Sequence, residues 1–515
     1  HDKNNRQIII CNDRFGFSYL YYYKDNDVFI FGPETKILLA YDKFDRALDE
    51  EAVASYFISN VILGNSSIFK NSKLLPNASV LSIIDNKLSI EQYWRPVCIR
   101  NNNKTELDYI NQANELYKAS LQKKIPQDKS DKIIMPLTGG LDSRLLLNIL
   151  QKLNNNLQIY THGNKKCIDY KIASKVIKEL GFEKSYQLVD ISPECMGPTN
   201  AIKSVWLSEC NVDVRPTHLI QVANALNPGR VTFINGIIGA HMSMGSDHVF
   251  SSKEIVKSDD KAFITNSLER LFGLSQASGR LKNILQDEVA DEFLSIHRKN
   301  VLNNYEQYRN NELFCDQKDM FAQFTFGRRM MGNIDLNKFF FHDVLPFVDS
   351  DLFDLYAEIP PHLKMNHYLY KELLKVKYPK MASIPWATTG VDLNSKYKIN
   401  LVRKIEKLKY KSQHYIRRLT HGYVDLNDNS QYVSREKWLR RNRDFRQMVM
   451  NSIQYANDNN IPYVAGNKLL DLIKLHDAGR NYLFISIIRA FTFIVWYRLF
   501  CLNEYRNIND VEHWS

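Results

Sequence analysis

Pro136-Leu137-Thr138-Gly139-Gly140-Leu141-Asp142-Ser143-Arg144 is the stretch on which the reading of this chain turns. It follows Lys132-Ile133-Ile134-Met135, a short apolar run with the length of a buried strand. Leu145-Leu146-Leu147-Asn148-Ile149-Leu150 then continues with helical spacing. Two adjacent glycines permit a tight turn and a close approach of backbone to ligand. A helix that starts just after them offers unpaired N–H groups and the positive end of its dipole, which suits a phosphate or pyrophosphate. Thr138 and Ser143 add hydroxyls. Asp142 puts a carboxylate beside the phosphates, where Mg²⁺ is usually held through one or two carboxylates. The Walker spacing, GxxxxGK followed by Ser or Thr, is absent. A Gly-Gly turn next to an Asp is also what a plain strand–helix connection looks like. The whole string, placed after a buried strand, is what favours nucleotide chemistry.

Working outward, Leu157-Gln158-Ile159-Tyr160-Thr161 reads as the next strand. Ile172, Ala173, Val176, Ile177 and Leu180 mark an amphipathic helix stopped by Gly181. Strand, helix, strand, helix predicts a parallel sheet with helices on its faces. Tyr109–Leu121 has helical spacing, and from about residue 255 the pattern is mostly helical. Upstream, residues 1–95 read as strands. Gln7–Ile10, Tyr19–Tyr23, Val28–Phe31, Val80–Ile84 and Leu88–Ile90 are separated by polar turns such as Lys24–Asp27 and Asp85-Asn86-Lys87. Ile99–Lys104 is polar and aperiodic and is taken as a linker.

The chain has 515 residues, 44% hydrophobic and 24% charged, which excludes wholesale disorder. The formal charge of +11 admits a polyanionic partner without requiring one. Seven cysteines without a CxxC pair argue against a disulfide framework and against a Cys-rich zinc site, so a reduced, cytoplasmic setting is expected. The first residues carry no apolar signal core. The longest apolar stretch, Tyr482–Phe500, is broken by Arg489 and Arg498 and is expected to be a buried core helix rather than a bilayer span.

The Thr138–Ser143 string resembles the Ser-Gly-Gly-x-Asp-Ser signature of the ATP pyrophosphatases (PP-loop enzymes), with Thr138 keeping the first hydroxyl. Within that superfamily the chain resembles the asparagine synthetase (glutamine-hydrolysing) family along most of its length. Asn12–Gly16 with Tyr21–Tyr23, Phe31–Leu39, Ile68–Lys70, Leu74–Pro76 and Glu91–Trp94 are similar to the end of that family's amino-terminal glutaminase domain. Thr161-His162-Gly163, Asp169 and Ala173 are similar to the segment lining the adenine side of its ATP pocket. Pro346–Asp349 is similar to its Pro-Phe-Leu-Asp string, and Leu363-Lys364 with Tyr370-Lys371-Glu372 to the segment downstream of that string. The resemblance implies a reaction: ATP adenylates a carboxylate, pyrophosphate leaves, and an amine or ammonia displaces AMP. It implies that Leu137, Thr138, Gly139, Gly140, Asp142, Ser143, Thr161, Gly163, Asn235 and Gly236 bind ATP or pyrophosphate. It also implies that Asp142 holds Mg²⁺ and that Lys371, with Asp142, serves catalysis.

Three departures accompany the resemblance. The family's glutaminase begins with a nucleophilic Cys, whereas position 1 here is His and the earliest Cys is Cys11, expected to be a small core residue. The match begins late in that domain, so about a hundred upstream residues are expected to be missing, the chain being either a fragment or a carrier of a degenerate domain, and glutamine hydrolysis by this chain is not expected. In Asn235–Gly245, Ala240 stands where the family carries an acidic metal ligand; His241 or Asp247 are the nearby substitutes, with His241 expected to be an ordinary loop residue. The family's Lys after Pro-Phe-Leu-Asp falls at His367 here. Lys371 is its expected replacement and Lys364 is expected to be solvated. Arg328-Arg329 are expected to meet phosphate or carboxylate, or to be structural ion-pair partners.

The sequence therefore predicts an α/β protein. A partial antiparallel α+β glutaminase-like domain is expected over 1–98. A parallel-sheet PP-loop synthetase domain with a helical carboxy-terminal half is expected over 105–510. The expected activity is ATP-dependent amide formation on a small-molecule carboxylate with ammonia or glutamine. The alternatives are a catalytically degenerate relative, or a ligase for another carboxylate such as a surface-glycan uronic acid or a peptide. Lys396–Arg418 is a basic amphipathic segment, read by default as a solvated face rather than a membrane-surface contact; no nucleic-acid partner is expected, and the oligomeric state stays open.

Overall fold

The structure is a computed structural model. It describes residues 7–100, 103–226, 229, 231–239, 244–245, 260–330, 336–395, 402, 405, 408, 412, 416, 419–420, 435–479 and 483–504. The basic segment Lys396–Arg418 falls largely outside these, as do Ala240, His241 and Asp247.

The amino-terminal portion builds two antiparallel sheets. Strands β1 (Gln7–Cys11), β2 (Tyr21–Lys24) and β3 (Phe29–Gly32) are followed by helix α1 (Glu50–Ser59), then β4 (Lys73–Leu74), β5 (Ser79–Ile84) and β6 (Lys87–Gln92). The sheet orders are β1-β5-β6 and β3-β2-β4. The expected turns are present. Asp85 and Asn86 both adopt left-handed φ (47° and 64°), the pair of positions a type I′ hairpin turn requires. Asp25 closes the other hairpin by accepting from the Asp27 and Val28 amides at 2.8 Å.

Helix α1 corrects the all-strand reading of this region. Its residues Ala52–Ile58 are all buried, so no 3.6-residue stripe distinguishes it from a buried strand. The legible signal was its start: Asp49 caps Ala52 N at 3.0 Å, with Glu50 and Glu51 in the first turn. Cys11 is a second correction. It is exposed at the end of β1, because the alternation along that strand turns it away from the core.

The second portion opens with α2 (Glu106–Lys124), started by a Thr105/Asp108 capping box. Strand β7 (Ile133–Pro136) leads into α3 (Leu141–Leu150). Then come β8 (Leu157–Gly163), α4 (Ile168–Leu180), β9 (Tyr186–Asp190), α5 (Pro198–Ser208), α6 (His218–Leu226), β10 (Thr232–Ile234) and, beyond a helical stretch, β11 (His342–Val344). All neighbours pair in parallel, in the order β11-β10-β7-β8-β9. The strand order runs away from β7 in both directions, so the sheet reverses between β7 and β10.

The two portions share one apolar core. The helix Leu483–Phe500 is long and apolar enough by composition to cross a membrane, yet most of it is buried inside the protein. Trp496 packs on Phe69 (centroids 5.5 Å) and Phe493 on Phe57 (5.1 Å). Arg489, which interrupts the apolar run, donates to the Phe57 and Ile58 carbonyls at 3.0 Å each. It thereby satisfies the carboxy-terminal end of α1.

Arg328 and Arg329 occupy the same seam. Arg328 donates to Gly16 O and Leu75 O at 2.8 Å, and Arg329 to Gly64 O at 3.1 Å and to Ser66 O. They are structural, as one of the two readings held, but through carbonyls of the amino-terminal portion rather than ion pairs.

Candidate functional site: the loop at the sheet reversal

In open parallel sheets, ligands bind beyond the carboxyl ends of the strands where the strand order reverses. Here that point lies between β7 and β10, and it joins two glycine-containing loops: Leu137–Gly140 after β7 and Asn235–Gly239 after β10. Gly236 is packed against the start of α3, where an added Cβ would stand 3.5 Å from Leu146 Cδ1 and 3.7 Å from Ser143 N. Asn235 is anchored by its amide to Val344 O at 2.9 Å.

The first loop is held by its own side chains. Thr138 N donates to Ser143 Oγ (3.2 Å) and Gly140 N to Thr138 Oγ1 (3.1 Å). Gly139 N donates to Asp169 Oδ1 (2.8 Å), a carboxylate from the first turn of α4. Gly140 is the N-cap of α3 and no side chain caps that helix, which leaves its first turn as an anion-accepting end. Thr161 Oγ1 donates to Leu137 O (2.6 Å) and accepts from Tyr186 Oη (2.9 Å), so its hydroxyl ties β8 to β7. Gly163 ends β8, its carbonyl accepting from Ile191 N at 3.0 Å.

Asp142 lies at the junction of the two loops. Its carboxylate abuts Gly239 so closely that a Cβ there would overlap it. The buried Tyr370 faces the same carboxylate, and burial first and Asp142 second push the phenol well above its ordinary ionisation range. Lys371 is on the helix Tyr368–Lys377, where its ammonium donates to Asn366 O and sits 4.9 Å from the Trp386 ring centroid. The next residue, Ala387, donates its amide to Gly139 O at 3.1 Å. Lys371 is thus brought to the segment that covers the first loop. His367 forms the N-cap of the same helix with φ 54°, its ring against Gly245.

A cavity of about 310 Å³ opens beside the loop. Leu137, Thr138, Thr161, Asn235 and Asp169 line it, and His162 and His218 form one end with their rings 5.1 Å apart. Burial, reinforced by Arg435, brings His162 down to about 4. Burial, then His162 and Arg435, hold His218 well below its ordinary value. Both are neutral at pH 7, and the positive charge beside them is that of Arg435, whose Nη2 is 3.4 Å from His218 Nδ1. Among the described residues, no cluster of three or more His, Cys, Asp or Glu is placed to hold a metal ion.

Lys364 departs from its expected solvated state: it is 1% exposed. Its Nζ is 3.7 Å from Asp316 and 4.3 Å from the Tyr356 ring centroid. Arg100 also pairs with Asp316, and Tyr356 donates to Asp319. Burial alone would lower the Lys364 pKa, but Cys98, Asp319 and Asp316 outweigh it and the net direction is upward. This network ties the segment around residue 100 to the helical portion, and none of its members lines the cavity.

The sequence reading passed over Arg144, Tyr370 and His218 as parts of the site. For Arg144 a signal existed: a guanidinium inside the otherwise apolar Leu141–Leu150 helix, where a buried charge must have partners.

Residues 1–94 match a family of glutamine amidotransferase domains. Asparagine synthetase (glutamine-hydrolyzing) 2 of Bacillus subtilis (strain 168) is 24% identical over 255 residues, 46% of this chain and 34% of that protein. Asparagine synthetase (glutamine-hydrolyzing) 3 of the same organism is 24% identical over 186 residues, 35% of this chain and 29% of that protein. The chain thus spans about a third of the length of these curated relatives.

Proposed function

We propose that this chain, similar to glutamine-hydrolysing asparagine synthetases and matching glutamine amidotransferase domains over residues 1–94, carries in its parallel-sheet portion a PP-loop ligase that makes an amide through an acyl-adenylate. The observation that carries this reading is the uncapped start of α3 behind Thr138-Gly139-Gly140, at the sheet reversal and beside a cavity of about 310 Å³. ATP would place its triphosphate on the loop, where Gly139 and Gly140 let the backbone come close to the pyrophosphate, Ser143 and the first turn of α3 donate to it, and Asn235 and Gly236 face it from the second loop. Such preorganised donors stabilise the charge that develops on the leaving group.

Asp142 stands at the start of α3, and Asp169, the other carboxylate at the loop, is engaged by Gly139 N; this suits Mg²⁺ arriving on the phosphates better than an all-protein cation site. The ion would neutralise charge on the departing pyrophosphate. Lys371 would meet the developing charge on the transferring group. The acyl donor is a small-molecule carboxylate and the acceptor ammonia, or ammonia derived from glutamine.

Pyrophosphate release from ATP, scanned over carboxylates with ammonia present, tests the reading. Asp142→Ala should abolish release; retained release in that variant would refute the assignment of the loop. A second reading, a nucleotide-binding relative without turnover, is favoured by one feature: Lys371 is engaged by Asn366 O and Trp386. Calorimetric binding of ATP with Mg²⁺ but no pyrophosphate release over the scan would select it.

A further inference from the structure

Arg144 is fully buried, yet its hydrogen-bond partners include no carboxylate. Its guanidinium has five N–H donors, and each meets a backbone carbonyl. Nε donates to Gly140 O (2.9 Å) and Nη2 to Gly139 O (2.9 Å). The other three bonds go to Met381 O (3.0 Å), Ile384 O (3.0 Å) and Pro385 O (2.9 Å). Ala387 adds its amide to the same Gly139 carbonyl at 3.1 Å. Gly139 has no room for a side chain against this strap: an added Cβ would stand 2.7 Å from Ala387 Cβ.

These bonds have a directional consequence. In a trans peptide the carbonyl and the following N–H point in opposite directions. Fixing Gly139 O and Gly140 O on Arg144 therefore turns the Gly140 amide onto Thr138 Oγ1, at 3.1 Å, and the Leu141 amide away from the strap. The guanidinium also leaves a full positive charge directly beneath the loop. Carbonyl dipoles solvate it, and burial draws its pKa down to about 10 against the opposing pull of Tyr370 and the Asp142 carboxylate.

We propose that Arg144 is a positioning residue that clamps the Gly139-Gly140 peptides to the 381–387 strap, so that the loop aims the uncapped first turn of α3 at a pyrophosphate-bearing ligand and the bound ligand in turn immobilises the strap. The inference rests on the nucleotide reading given above. It adds a link to Lys371, because Trp386, over which that ammonium sits, belongs to the strap. Lysine cannot substitute: an ammonium has three donors and no planar fork to span both loop and strap.

Inorganic pyrophosphate with Mg²⁺, and ATP with Mg²⁺, are titrated calorimetrically into the full chain and into Arg144→Lys, below both unfolding midpoints. Arg144→Lys is expected to bind pyrophosphate about tenfold or more weakly. A purely structural arginine would lower the unfolding midpoint and leave the affinity of the folded protein untouched. Unchanged affinity in folded Arg144→Lys therefore overturns the inference. Absence of binding by the unaltered chain overturns the nucleotide reading, and this inference with it. If Arg144→Lys does not fold, hydrogen exchange on the unaltered chain decides. Pyrophosphate should slow exchange over both 137–143 and 381–387; protection confined to 137–143 overturns the clamp.

Discussion

The carboxylate of Asp142 rests on the α-carbon of Gly239, so the loop after β7 and the loop after β10 meet with no space for a single methyl group between them. This contact joins residues 97 positions apart, 239 minus 142, across the reversal of the sheet. It makes a glycine at 239 a steric requirement of the site rather than a matter of backbone freedom.

Gly239→Ala should therefore displace the Asp142 carboxylate. ATP-dependent pyrophosphate release is expected to fall by about a hundredfold or more, the scale on which one misplaced group at a reacting centre acts. The unfolding midpoint should move little, because position 239 lies in a connection and not in a strand. Comparing the release assay with thermal unfolding of the same sample checks both halves of the expectation.

Lys371→Met removes the ammonium next to the strap while keeping the length of the side chain. Turnover should drop about a hundredfold or more, as for other lost electrostatic contacts to a transition state. ATP affinity measured by calorimetry should change much less. A parallel loss of both would place Lys371 in ground-state binding instead.

Lys364→Ala leaves Asp316 and Asp319 buried with one cation fewer. Removing one partner of a buried charge network costs about 3–5 kcal/mol, which urea unfolding will register. The double variant Lys364→Ala with Asp316→Ala should lose less than the sum of the two single losses, since the residues share one network.

Acid should destabilise the protein in a defined window. His162 and His297 are held down, to about 4 and about 3, by burial. His297 bonds Ser55 Oγ at 3.1 Å and Ser59 Oγ at 2.9 Å. The unfolded chain takes up these protons near pH 6.5 and the folded chain does so only far lower, so stability is full above about pH 6.5 and falls as the pH drops toward 4. Each histidine contributes a slope of at most about 1.4 kcal/mol per pH unit. Urea unfolding at a series of pH values should show the decline, and His297→Gln should make it shallower.

Much of the loop-bearing sheet was legible beforehand. Ile133–Pro136 is a short apolar run, Leu157–Thr161 was read as the strand that the structure extends to Gly163, and Gly181 stops α4 in a left-handed conformation with φ 76°. These are signals carried within one element. Helix α1 was legible only at its Asp49 start, since burial on every side erases the stripe that marks an amphipathic helix. Lys364 was read as solvated because charge alone predicts exposure; the four residues that enclose it, Cys98, Arg100, Asp316 and Tyr356, come from three separate segments.

The order of residues alone determined the Thr138–Ser143 turn, the alternation of strands and helices around it, and the kinship those imply. Each depends on backbone preferences and side-chain period over a dozen residues or fewer. The folded chain alone decided that Gly139 N faces Asp169, that Arg144 meets the carbonyls of 381–385, and that Arg328 and Arg329 stitch the two portions together. Those bonds unite groups 30 to more than 300 positions apart, and no local periodicity encodes which distant carbonyl a buried guanidinium will find. What selects it is the need to satisfy every buried donor once the core has closed.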